Sequence, residues 1–148
     1  MGPIGVFRFA ETFLKAGHHL RMALATGALR LPYEDPIYYD FSHALELAMK
    51  AFLLAKGISA ERLASRDFGH QLQVLWEECL RTGLVQDNFI AQVIECLDPF
   101  ARSFEFRYLR TGWKSLPVLG DVERAVDHLM ANVQKHIPGA RPWHPLTP

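Results

Sequence analysis

The 148-residue chain carries 16 basic and 16 acidic side chains and is 49% apolar, the balance of one ordinary domain, which can bury roughly 68–70% of the surface its unfolded chain exposes. Zero formal net charge excludes a global basic field for non-specific nucleic-acid capture, so any RNA contact must be local. The only cysteines, Cys79 and Cys96, fall inside apolar helical patterns, where small thiols usually lie buried, so a reducing compartment is the natural setting and no disulfide is needed.

Phe9, Ala10, Phe13, Gly17, Leu20 and Leu24 recur at helical spacing from Val6 onward, with Arg8, Glu11, Lys15 and His18 or His19 on the other side, which predicts a first amphipathic helix. After Leu31-Pro32-Tyr33-Glu34, Asp35 reads as an N-cap with Pro36 at the first helical position, and Gly57 closes a second helix over 36–56. Tyr38, Phe41, Leu45, Ala48, Phe52 and Ala55 form its stripe, and Leu47, Ala51 and Leu54 widen it nearly all round. A helix apolar on most sides is a central one.

A loop with Ser59 and Ser65 leads to a third helix through Leu72, Leu75, Trp76, Cys79 and Leu80, ended by Gly83. Asp87 caps a fourth, in which Phe89, Ile90, Val93, Ile94 and Leu97 lead to Pro99. Pro99 removes a ladder bond and predicts a kink or restart before Phe100, Phe104 and Tyr108. Residues 110–120 lack periodicity and form a connection long enough to be suspected of function. Val122, Ala125, Val126, Leu129, Met130 and Val133 mark a last helix, and Pro138-Gly139 ends it. The Pro-rich tail, 138–148, is expected to be mobile unless Trp143 docks, which leaves one domain over 1–137. No run alternates long enough for a strand. Nor does any stretch approach the 18 or so apolar residues of a membrane span, and no charged-then-apolar leader is visible, so the expectation is a cytoplasmic protein with no membrane association.

The second helix reads Ser42-His43-Ala44-Leu45-Glu46-Leu47-Ala48-Met49-Lys50, and Gly69-His70-Gln71-Leu72 opens the third. With Arg107-Tyr108 late in the fourth, these words resemble the HEPN domain family, the higher eukaryotes and prokaryotes nucleotide-binding domain. The resemblance covers roughly 6–135 in helix order, with its most specific words in 42–72. It implies an all-α, up-and-down four-helix bundle with an additional C-terminal helix, frequent homodimers, and functions tied to nucleotides or RNA. Some members are toxins paired with a nucleotidyltransferase antitoxin, so a nucleotidyltransferase-type partner protein is also implied. Catalytic members cut RNA without metal, using an arginine and a histidine with four to six residues between them near the last helix. Here Arg66 with His70 and Arg124 with His128 have three residues between them, and Arg62 with His70 has seven. The expectation is therefore a module that binds a nucleotide, RNA or a partner protein, with a metal-independent ribonuclease and a purely structural dimeric scaffold as the alternatives.

His43, Glu46 and Lys50 stand at steps of three and four, so a helix sets them on one face. Two readings remain open: a ligand or RNA contact in which Lys50 meets phosphate as a point charge, or an internal ion pair with His43 bonded to a neighbouring helix. His70 reads as a base or as a partner for backbone groups at a helix start. Arg102, Arg107, Arg110 and Lys114 lie among Phe104, Phe106, Tyr108 and Trp113, a mix of cations and rings suited to single-stranded nucleic acid, or rings that pack beneath arginines lying over them in water. No metal or cofactor is expected: di-iron bundles need Glu-x-x-His on each of two helices, and only a reversed His43-x-x-Glu46 occurs. A Gly-rich phosphate loop and a Ser or Cys nucleophile with a nearby base are also missing. The high apolar and aromatic content, spread over nearly every segment, predicts a homodimer.

Overall fold

A computed structural model describes residues 1–103, 106 and 115–146. Within them the chain is all-helical: α1 (Pro3–Thr26), α2 (Asp35–Ala55), α3 (Ala60–Ala64), α4 (Leu72–Arg81), α5 (Asn88–Arg102) and α6 (Leu119–Gln134). None of these helices is long and apolar enough to cross a membrane.

The second helix is the centre, as its all-round apolar pattern predicts. α2 packs against α1, α4, α5 and α6, and Phe41, Leu45, Met49 and Phe52 have no exposed surface. Its start falls one residue earlier than expected, with Glu34 rather than Asp35 in the cap position and no side-chain cap, a difference within the usual spread of helix boundaries. Its end follows the glycine. Gly57 takes φ 93, and the N–H groups of Gly57 and Ile58 donate to the carbonyls of Leu54 and Leu53 at 3.0 Å each, the paired bonds of a Schellman cap.

Three expectations change. The stretch after Gly57 contains the short helix α3, where the Ser59 hydroxyl accepts the Arg62 N–H at 3.2 Å; five residues are too few to leave a periodic signal. α5 runs through Pro99 with no restart. There Asp87 caps as expected, accepting the N–H groups of Phe89 and Ile90 at 2.9 and 3.1 Å. Of the two cysteines, Cys79 is buried but Cys96 is exposed, because Val93, Ile94 and Leu97 take the inward face of α5.

The N-terminus of α4 lacks a cap from its own chain segment and borrows one: Asp98 of α5 accepts the Gln73 N–H at 3.1 Å, a negative group at the positive end of the helix dipole. Tyr38 on α2 donates its hydroxyl to the Pro117 carbonyl at 2.6 Å. Burial first, and then Glu34 and Asp35, push its pKa up to about 12, so it remains a donor. Trp143 does dock, donating Nε1–H to Asp127 of α6 at 3.2 Å and meeting Phe7 of α1 edge-on at 6.2 Å.

α1 and α2 approach closely at Gly17, where an added Cβ would lie 2.6 Å from Cε1 of Phe41. Alanine favours a helix interior over glycine by about 1 kcal/mol, yet the Phe41 ring is fully enclosed and has nowhere to retreat. Overpacking of this kind costs about 1–3 kcal/mol. Gly17→Ala is therefore expected to lower stability in urea unfolding by about 1 kcal/mol; a stabilised variant would show that the helices part freely there.

Candidate functional site

The polar strip of α2 folds around one carboxylate. Glu46 is 6% exposed and receives Lys50 Nζ at 2.7 Å and His70 Nδ1 at 3.0 Å, with His43 Nδ1 3.6 Å away. Helical spacing brings His43 and Lys50 to Glu46, whereas His70 arrives from the Gly69 turn, which takes φ 46 just before α4. Burial pushes the Glu46 pKa up, but His43, Lys50 and His70 more than offset this and hold it at about 2. A carboxylate in that state only accepts hydrogen bonds, so Nδ1 of His70 is the donor.

A small cavity of about 20 Å³ opens beside this cluster, lined by Ser42, His43, Glu46 and His70 together with Tyr39, Phe100, Ala101 and Phe106. That volume holds about one water molecule, or a single polar group of a ligand. Ser42 is 4% exposed and its hydroxyl has no hydrogen-bond partner, which is uncommon for a buried polar atom. Outside the cavity the rings continue. Tyr39 stacks on His43 at 5.7 Å, Phe13 meets His43 edge-on at 4.5 Å, and Phe9, 44% exposed, meets Phe13 at 5.1 Å. Asp40 lies one turn before His43 on α2. Burial pushes its pKa up to about 6, with His43 opposing, so it changes charge closer to neutrality than an ordinary carboxylate.

The structure thus gathers His43, Glu46, Lys50 and His70 into one place, with the Lys50 ammonium held on Glu46. Arg102, at the end of α5, does not line the cavity and pairs with Asp98. Arg107, Tyr108 and Arg110 lie outside the described residues, as do Lys114, Phe104 and Trp113; Phe106 is buried and stacks on Tyr38 at 5.8 Å. Of the arginine–histidine pairs, His128 sits 3.7 Å from Asp87 and against Phe89, and Arg124 covers the same ring. Arg62 lies over Phe68. Among the described residues no group of three histidine, cysteine or acidic side chains is arranged to hold a metal ion.

A second buried carboxylate has no counterpart in the sequence reading. Glu123 of α6 has no exposed surface and pairs with Arg21 at 2.6 Å and His18 at 2.7 Å, both on α1. Its partners tie two helices together. The only trace in the sequence is an acid flanking the Val122–Val126 stripe, because the partners lie more than a hundred residues away.

No family model matches the chain, and no curated protein and no solved structure matches it either.

Proposed function

We propose that the chain is a HEPN-like, up-and-down helical module, dimeric in solution, that binds a nucleotide or single-stranded RNA at the mouth of the Glu46 cluster without cleaving it. One observation carries the reading. The two sequence words most like that family, 42–50 and 69–72, meet in the hydrogen bond from His70 to Glu46, beside a buried hydroxyl with no partner. The cavity is too small for a base, so it would take a hydroxyl or a phosphate oxygen. The base itself would stack on the rings that extend from His43 to the exposed Phe9, an arrangement that tolerates any base. Absence of the arginine–histidine spacing supports binding over cleavage.

Fluorescence anisotropy with a labelled RNA oligomer, competed by mononucleotides, tests this. Each base–ring contact is worth about 1–3 kcal/mol, so Phe9→Ala is expected to weaken binding about tenfold, and Arg107→Ala to weaken it as well. The RNA should remain intact in EDTA, and sedimentation should give a dimer at micromolar concentration. Silence across the nucleotide and RNA panel would remove the ligand, and a clean monomer would remove the dimer.

A further inference from the structure

A groove far larger than the cavity at the Glu46 cluster lies elsewhere on the molecule. It lies between the first half of α1 and the C-terminal segment, and its volume is about 720 Å³, within the range of about 300–1,000 Å³ that small-molecule sites occupy. Its outer wall is built. Gly139, at φ 80, turns the chain off the end of α6 and back along α1. Asp127, 1% exposed, then fixes that wall by accepting both the Trp143 indole N–H and the Leu146 backbone N–H at 3.2 Å. Ile4 and Phe7 from α1 line the groove together with Trp143 and Leu146, the Phe7 and Trp143 rings meeting edge-on at 6.2 Å, which gives it an apolar floor.

Its rim has a definite sign. Glu11 is the one acid there, and Lys15 neutralises it at 2.7 Å. Arg8 and Arg141 also line the groove and are exposed, and their guanidiniums enter no ion pair or hydrogen bond. Ile4 places the first turn of α1 at the same edge, and that turn contains no acidic residue and no side-chain cap, so the positive end of the helix dipole is left uncompensated. Two free guanidiniums and a helix terminus over an apolar floor suit a ligand with one anionic head and a hydrocarbon body.

We propose that this groove binds an amphiphilic organic anion, an alkyl phosphate or alkyl carboxylate, with the head on Arg8 and Arg141 and the chain lying along Ile4, Trp143 and Leu146. The test is independent of the Glu46 cluster. The full chain, with its three tryptophans replaced by 5-fluorotryptophan, is titrated with octyl phosphate below its micelle concentration and followed by fluorine NMR, with Trp143→Phe assigning the resonance. A saturable shift at Trp143 is expected. Octyl glucoside and inorganic phosphate should each bind at least tenfold more weakly, and Arg8→Gln with Arg141→Gln should weaken octyl phosphate at least tenfold with helix content unchanged by circular dichroism. Arg141→Gln alone, on the C-terminal wall, should act in the same direction. No saturable shift at Trp143, equal binding of octyl glucoside, unchanged affinity in the double variant, or a response only to anionic lipid vesicles would each overturn the proposal.

Discussion

Glu46→Ala is expected to destabilise the protein by about 3–5 kcal/mol, the usual cost of removing one member of a buried charge cluster. At this chain length that corresponds to a fall in Tm of roughly 10 °C. The loss arises from what remains: Lys50, whose side chain is 16% exposed, and His70 would face each other and His43 around an empty position. Glu46→Gln retains the shape but directs an amide N–H₂ at donors, so it should lose somewhat less. The same residue sets an acid limb. The folded pKa is about 2 and the ordinary value 4.5, so between those pH values the unfolded chain holds a proton that the folded chain does not. Lowering the pH through that window therefore favours unfolding, by roughly 3 kcal/mol in all. Urea unfolding at pH 7, 4 and 2.5 should show this loss in the wild-type chain and much less of it in Glu46→Gln. Equal pH dependence in the two would mean that the cluster does not hold the carboxylate ionised.

What the sequence made legible were local features. Gly57, Gly83 and Asp87 end or begin helices where their chemistry predicts, because a positive φ or a short acceptor side chain acts within a few residues. The central place of α2 was equally plain, since a stripe that nearly closes on itself leaves no face for solvent. The grouping of His43, Glu46 and Lys50 follows from helical spacing alone. That the grouping is completed by His70, twenty-four residues on, depends on how α4 packs, and periodicity does not reach that far. Cys96 shows the same limit from the other side: it stands among apolar neighbours on α5, yet the helix turns it outward. Short α3 escaped for want of length, and the borrowed cap from Asp98 to α4 escaped because its two partners belong to different helices.

Glu123 is where tertiary structure adds most to the sequence pattern, and it leads to the second large effect. Its carboxylate is fully enclosed between α6 and α1, with Arg21 and His18 on its two oxygens, and Arg21 Nε is itself buried without a partner. Glu123→Ala is expected to cost about 3–5 kcal/mol, because it strands a guanidinium whose side chain is only 24% exposed. The pair as a whole is worth far less than that, since desolvating two charges consumes most of what their attraction returns. Replacing both partners with apolar residues of similar size, Arg21→Met with Glu123→Leu, should therefore recover most of the stability that Glu123→Ala loses. Urea unfolding of the three proteins separates the cases. If the double variant is as unstable as Glu123→Ala, the ion pair contributes a net attraction that hydrocarbon packing does not replace. If Glu123→Ala costs under about 1 kcal/mol, then Arg21 reaches solvent and the link between α1 and α6 rests on their apolar contacts alone. Hydrogen exchange along the second half of α1 would show the same difference locally, with the amides around Arg21 losing protection in Glu123→Ala and regaining it in the double variant.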